Sequence, residues 1–343
     1  MRDFQPNAAV TGIGSLPHRN PGEACDFVMR HAPAVPFWPQ LPQRSALESL
    51  AGQFAGGLPG LQEGSLRVDL GDPALGGALE KFYERYLAGD PALFAIDEER
   101  AAGLYALQEK LSGNDRVLAV KGQVTGPVSF GLQLVDEGKR FLLYSDLYRD
   151  VLVKQIQMKA RWLEGFLVRL TSGRAPAIIF YDEPLLYTYG SAYFNVPREI
   201  VVGTLRESMD GVSSLKGIHA CQNCDWSLLF EAGPDIISFD AFSHLDQFLL
   251  YPDQLQAFLR GGGLLAWGIV PTNGEEYLGL SSDDLYAKLE SALERLEAWG
   301  LDPAQVISRS LITPACGTGT LPLEHAQRVF SLADEVSVRL GSR

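Results

Sequence analysis

The sequence predicts an α/β protein that folds as a single (β/α)8 TIM barrel over residues 1–343, with a long insertion between strands 2 and 3. Three observations predict this fold. Eight short apolar runs end at Gly, Pro, Asp or Ser, and most of the gaps between them show helical periodicity. The length of 343 residues is also within the range in which such barrels form one domain.

The eight runs have the β-branched and apolar composition of buried strands. In chain order they cover residues 8–14, 34–38, 117–122, 177–181, 217–220, 236–239, 264–268 and 306–313. Helices are predicted between them, for example where Leu285, Leu289 and Leu293 recur at helical spacing after a capping run at Ser281. We expect such stripes to pack in the core.

The second gap, about residues 40–116, is much longer than the dozen or so residues that a parallel crossover requires. It begins with a Gly-rich stretch at residues 51–60 and shows helical periodicity at 79–87 and 98–111. We interpret it as an insertion at the mouth of the barrel and not as a second domain.

Charge and hydropathy exclude several classes of partner. The chain has 29 Lys and Arg against 42 Asp and Glu, a net charge of −13, which argues against binding to a nucleic-acid backbone. No apolar run approaches the roughly 20 residues that span a bilayer, and the first residues lack a secretory signal. The sequence therefore predicts a cytoplasmic protein with neither a membrane nor a nucleic-acid partner.

Cysteine and histidine are scarce, so their clustering is informative. Four cysteines are too few for a disulfide scaffold in a chain of this length and favour metal or redox chemistry. His219 and Cys221 are two residues apart where a predicted strand meets its loop, so both side chains can face one ion. Imidazole and thiolate are zinc ligands, and Cys316, just after the eighth strand, would be the third.

A fourth zinc ligand could be Asp240, at the end of the sixth strand, or Cys224. The carboxyl ends of parallel barrel strands meet at one face, so these distant residues would converge where barrel enzymes place their active sites. Three other interpretations stay open: a redox C-x-x-C pair of Cys221 and Cys224, buried thiols without chemistry, and a phosphate-binding loop at residues 316–320.

Two further strand ends carry polar groups. Gly14 and Ser15 follow the first strand and could bind a carboxylate through backbone N–H groups and the hydroxyl, or form only a tight turn with a helix cap. Asp182 ends the fourth strand and could pair with a substrate ammonium, or form a salt bridge under the barrel rim. No catalytic residue beyond the metal site is predicted.

Five motifs in order resemble one family. Ile13-Gly-Ser-Leu-Pro, Gln123-Val-Thr-Gly-Pro, Asp182-Glu-Pro, His219-Ala-Cys and Pro314-Ala-Cys-Gly resemble the C-terminal catalytic barrel of cobalamin-independent methionine synthase, in the superfamily shared with uroporphyrinogen decarboxylase. The chain resembles a short form without the N-terminal barrel that completes the folate site.

The resemblance implies a zinc-dependent methyltransferase that methylates the thiol of homocysteine to methionine, an amino-acid biosynthetic step. It implies zinc ligands at His219, Cys221 and Cys316, with Asp240 in the acidic position, where the family mostly has Glu. It also implies that Ser15 and the adjacent backbone bind the substrate carboxylate. The methyl donor would be methyltetrahydrofolate or, as in short relatives, a corrinoid protein.

Three alternatives remain at this stage. The acceptor could be another thiol such as coenzyme M, for which the ammonium partner Asp182 would be superfluous. A uroporphyrinogen decarboxylase-like enzyme would need basic groups for several carboxylates, whereas the motifs at the predicted mouth are acidic or neutral. A zinc-stabilised module that only docks a partner would have a closed set of ligands.

Overall fold

The computed structural model describes residues 4–62, 64–111, 114, 116–192 and 194–342, and it confirms an α/β fold. Seven strands of the described chain form a parallel, curled sheet in the order β1-β9-β8-β7-β6-β5-β3. These strands are β1 Ala9–Val10, β3 Val120–Thr125, β5 Ala177–Asp182, β6 Leu215–Ala220, β7 Ile236–Phe239, β8 Leu264–Val270 and β9 Ser310–Pro314. Two short strands, β2 Arg67–Val68 and β4 Val135–Asp136, pair separately.

Helices surround this sheet. In the described residues they are α1 Pro21–His31, α2 Gly52–Ala55, α3 Leu75–Leu87, α4 Ala102–Leu111, α5 Pro127–Gln133, α6 Asp146–Leu170, α7 Arg198–Met209, α8 Ser227–Ala232, α9 Ala241–Phe248, α10 Pro252–Arg260, α11 Glu276–Gly279, α12 Ser282–Ala298, α13 Pro303–Ser308 and α14 Leu323–Gly341. None of them combines the length and apolarity needed to cross a bilayer.

The predicted second strand connects the two edges of the sheet without forming a regular strand. Phe37 bridges Lys121 of β3, and Gln40 bridges Ser15 beyond β1, both in parallel orientation. Backbone hydrogen bonds support each side, including Trp38 N to the Lys121 carbonyl at 2.8 Å and Gln40 N to the Gly14 carbonyl at 3.0 Å. The curled parallel sheet with its flanking helices is consistent with a TIM-like barrel.

The two faces of the sheet have separate cores. On β5, Ile178 and Phe180 belong to a small inner cluster, whereas Ile179 and Tyr181 belong to the large cluster between sheet and helices. This alternation is the period of two that a strand imposes. The inner cluster consists of Val35, Ala119, Ile178, Phe180, Leu215, Ile236, Leu264, Ala266 and Leu311, and residues two positions further along the strands face the same interior.

The predicted eighth strand starts too early. Residues 303–308 form helix α13, and the strand β9 begins only at Ser310. The helix is explained by local chemistry, because the Asp302 side chain accepts a hydrogen bond from Ala304 N and Pro303 occupies the first turn.

The long gap after the second predicted strand contains α2, β2, α3 and α4, with two short 3-10 helices at Ala46–Glu48 and Pro91–Phe94. Helix α4 packs against α1, as expected for the helix of a second β/α unit. That the preceding residues are an insertion into a barrel stays a prediction.

Candidate metal centre and substrate pocket

The carboxyl ends of two strands place three of the predicted metal ligands. His219 is on β6, Cys221 follows the last residue of β6, and Cys316 follows β9. The ligand atoms of these three residues all lie within 4.8 Å of one another, although Cys316 is far from the other two in sequence. The structure therefore brings together three of the four predicted ligands, while metal binding itself stays a prediction.

His219 has the orientation that a metal ligand needs. Its ring is buried, with Nδ1 2.9 Å from the Ser238 hydroxyl of β7, and Nε2 is buried without a partner. A neutral imidazole that donates Nδ1–H to this hydroxyl keeps its lone pair on Nε2, which is the atom left to face a cation.

The two thiols interact directly. The hydrogen bond between Cys221 and Cys316 raises the pKa of the Cys221 thiol. The same bond and the electrostatic attraction of His219 lower the pKa of the Cys316 thiol well below its usual value. The two sulfur atoms lie within 4.8 Å of each other. A divalent cation that binds both would bind them as thiolates, because metal binding requires the deprotonated form.

Asp240 and Cys224 do not join this group. The Asp240 carboxylate accepts a hydrogen bond from Ser243 N at 2.8 Å and caps helix α9. Cys224 lies in the loop after β6, where burial raises the pKa of its thiol to a value above the ordinary range. Neither residue belongs to the cluster whose ligand atoms are within 4.8 Å of one another.

A cavity of about 390 Å³ opens above the three clustered side chains. Ser15 and Asp182 line it, as predicted, beside His219, Cys221 and Cys316. Sequence reasoning missed several lining residues: Gln40, Glu48, Ser49, Thr272 and Asn273. They come from loops and a short 3-10 helix without periodicity, where no pattern marks a residue as facing the pocket.

Glu48 is the most distinctive of the missed residues. It is 2% exposed, accepts a hydrogen bond from Leu41 N at 3.0 Å and pairs with Arg44 at 2.6 Å. Burial raises its pKa in spite of these partners. A second carboxylate thus lies at the pocket wall, held by its own loop.

The turn after β1 is tightly constrained. A Cβ on Gly14 would lie 2.5 Å from Gln40 Oε1, and a Cβ on Gly317 would lie 2.1 Å from the Ser15 hydroxyl, so a side chain at either position would displace one of these groups. The Ser15 hydroxyl accepts a hydrogen bond from Gly319 N at 3.3 Å. Ser15 therefore connects the loops after β1 and β9 at the edge of the pocket.

Asp182 is buried at the pocket with an unpartnered oxygen. It is 6% exposed, and its Oδ1 has no hydrogen-bond partner. Burial raises its pKa to about 6, against the opposing attraction of Lys121 and His219. A buried carboxylate oxygen without a donor is costly, so a ligand that donates hydrogen bonds here would be bound favourably.

No protein-family model and no curated protein sequence matches the chain. Among solved structures, a B12-independent methionine synthase from Shewanella sp. W3-18-1 in complex with selenomethionine is similar at 15% sequence identity and a TM-score of 0.47. The alignment covers 69% of this chain and 65% of that protein, so this chain spans less than two thirds of its length. A likeness of this degree assigns neither a fold nor a function to this chain.

Proposed function

We propose that the protein is a zinc-dependent methyltransferase that methylates the thiol of homocysteine to give methionine. The observation that carries the proposal is the convergence of His219, Cys221 and Cys316 within 4.8 Å in a cavity that Ser15 and Asp182 also line. The two halves of this pocket match the two ends of the substrate, a thiol and an amino acid.

The three clustered residues fit zinc. Two thiols and an imidazole with a free, buried Nε2 are a typical zinc donor set, and three protein ligands leave one position for a substrate atom. A zinc ion bound there would supply the Lewis acidity that converts an incoming thiol into a thiolate at neutral pH. The placement of Asp240 as a helix cap is in keeping with an open fourth position.

The other half of the pocket would hold the amino-acid end. Asp182 Oδ1 would accept hydrogen bonds from the substrate ammonium, and the Ser15 hydroxyl with the backbone around Gly14 would bind the carboxylate. Holding both groups orients the sulfur for in-line attack on an electrophilic methyl group. The sulfur gains the methyl group and loses its proton, and the donor leaves with the bonding electron pair.

The charge of the pocket favours homocysteine over the alternative acceptors. Among the described residues that line the cavity, none is Lys or Arg. A porphyrinogen with several carboxylates would lack cationic partners there, and a sulfonate thiol without an amine would leave Asp182 unpaired, whereas the ammonium of homocysteine has Asp182 as its partner. The methyl donor, a methylcorrinoid or methyltetrahydrofolate, would enter from the open side of the cavity.

The test is a methyl-transfer assay on purified protein whose zinc content has been measured. The protein is incubated with L-homocysteine and either methylcobalamin or methyltetrahydrofolate, and methionine is quantified. We expect methionine to form with one of the two donors, in an amount that is proportional to the zinc content of the protein. Zinc-loaded protein that does not bind homocysteine, tested by titration, would refute the proposal whatever the donor.

A further inference from the structure

The sheet interior contains a fully buried lysine below the pocket. Lys121 is on the inner face of β3, and its Nζ donates hydrogen bonds to the Ile13 carbonyl at 2.6 Å and to Gln123 Oε1 at 3.0 Å. The same Nζ lies 4.4 Å from the centroid of the Phe180 ring. Lysine is almost never fully buried without a charged partner, so this position requires an explanation.

Burial lowers the pKa of Lys121 to about 7, and the attraction that opposes this shift comes from Asp182, the pocket residue with the unpartnered oxygen. Both acceptors in direct contact with Lys121 are neutral oxygens. An apolar side chain would fill the interior beside Phe180 without the cost of burying a charge. Packing of the core therefore does not explain a lysine at this position, whereas a role in the neighbouring pocket would.

The contact with Ile13 reaches the other half of the amino-acid site. The Ile13 carbonyl belongs to the turn that leads into Gly14 and Ser15. Gln123, the second acceptor, donates its own Nε2 to the Trp38 carbonyl at 3.0 Å, and a Cβ on Gly14 would lie 2.6 Å from that Nε2. Lys121 and Gln123 thus form the support beneath this turn, although neither lines the cavity.

We propose that Lys121 is a positioning residue for the amino-acid half of the pocket: its buried Nζ holds the Ile13–Ser15 turn in place beneath the cavity. The inference rests on the proposed function, since it assumes that this half binds an ammonium and a carboxylate. It assigns Lys121 no part in holding the metal or the thiol.

The test uses cobalt-substituted protein, in which a bound thiolate changes the visible absorption of the metal. The protein is titrated with L-homocysteine and with 1-propanethiol, which has the thiol but neither the amine nor the carboxylate. The variants are Lys121→Met, which removes the amine and its hydrogen bonds, and Lys121→Gln, which keeps a hydrogen-bond donor on a shorter chain. The matched control is Lys159→Met, because Lys159 is a second fully buried lysine, with Nζ 3.4 Å from the Phe94 carbonyl on the outer side of the sheet.

We expect both Lys121 variants to bind homocysteine about tenfold or more weakly than the parent protein, with cobalt content and propanethiol affinity unchanged. The Lys159→Met control should bind both thiols as the parent does. Homocysteine affinity within about twofold of the parent in the Lys121 variants would overturn the inference alone.

Two other outcomes would also contradict a positioning role for Lys121. Loss of cobalt or of cooperative unfolding in both Lys121 variants would show a purely structural role. A parent protein that binds homocysteine no better than propanethiol would refute the proposed function, and this inference with it.

Discussion

Among the buried atoms without partners at this cavity, which also include the Thr272 hydroxyl, are His219 Nε2 and Asp182 Oδ1. Leaving such a group unpaired costs about 1–3 kcal/mol, so two of them in one pocket call for ligands. A cation satisfies the imidazole nitrogen and an ammonium satisfies the carboxylate oxygen. His219 therefore indicates the metal-binding half of the pocket, and Asp182 indicates the half that would bind the ammonium.

Replacing Cys316 by Ser should abolish zinc binding, because it removes one of three protein ligands and a hydroxyl is a poor substitute for a thiolate. Zinc content after dialysis, measured by atomic absorption, is the readout. Cys224→Ser is the matched control, since Cys224 is near in sequence to Cys221 but outside the cluster, and it should keep its zinc. Full zinc occupancy in Cys316→Ser would remove this residue from the site.

Replacing Asp182 by Asn should weaken homocysteine binding by about tenfold or more, because a charged hydrogen bond to the ammonium is lost. Zinc content should not change. The matched ligand is 4-mercaptobutyrate, which lacks only the amine, and its affinity should be little affected. Equal loss of affinity for both thiols in a titration would instead indicate general damage to the pocket.

The expected convergence of side chains is observed where periodicity and topology act together. His219 and Cys221 share a face because strands repeat every two residues, and Cys316 joins them because parallel strands end at one side. Asp240 was harder to predict, because a carboxylate after a strand can also cap the next helix, as it does for α9.

At the scale of single elements, the inner face of the strands changes from apolar to polar towards the carboxyl end. On β5, Ile178 and Phe180 precede Asp182, and on β6 Leu215 precedes His219 with one inward position between them. The apolar layer holds the strands together, and the polar layer above it forms the pocket. A functional residue is thus marked by its place on the strand as well as by its type.

Boundaries were predicted less well than the strands themselves. Residues 34–38 were predicted as a strand, but they make only one isolated bridge, at Phe37, because Pro36 and Pro39 interrupt the regular hydrogen-bond ladder. Residues 306–308 have strand-like composition but continue a capped helix. Glu48 could not be found at all, since the 3-10 helix that places it has no periodic pattern.

Helix α6 allows a test of its buried Lys159. Burial lowers the pKa of Lys159 to about 7, from 10.5 in an exposed lysine, so the unfolded chain binds more protons between these two pH values. The free energy of unfolding should therefore rise with pH across this window. In the Lys159→Met variant the free energy of unfolding should lack this rise, which is roughly 1 kcal/mol per pH unit. Urea unfolding of both proteins at pH 7 and pH 9 measures the difference. Identical pH dependence in both proteins would contradict the burial of a neutral lysine.

At the scale of the whole molecule, the metal site would join distant parts of the chain. His219 and Cys221 belong to the end of β6 and Cys316 to the end of β9, and β7 and β8 lie between them in the sheet. A ligand that binds only the folded state stabilises it by mass action, about 4 kcal/mol at a thousandfold excess over Kd. The cation should therefore stabilise the sheet as a unit.

Removal of zinc by a chelator should lower the unfolding temperature by several degrees, and zinc added back should restore it. Differential scanning calorimetry gives this shift directly. The Cys316→Ser variant should show no shift in either direction. An unfolding temperature that is independent of zinc in the parent protein would mean that the ligands are not joined by a cation in the folded state.

X-ray absorption at the zinc edge would detect the binding of the homocysteine sulfur to the metal, because it counts sulfur ligands at about 2.3 Å from the zinc ion. We expect two sulfur ligands, from Cys221 and Cys316, in the resting protein. Addition of homocysteine should increase this number to three. An unchanged sulfur count in homocysteine-saturated protein, or a metal bound without sulfur, would contradict the account.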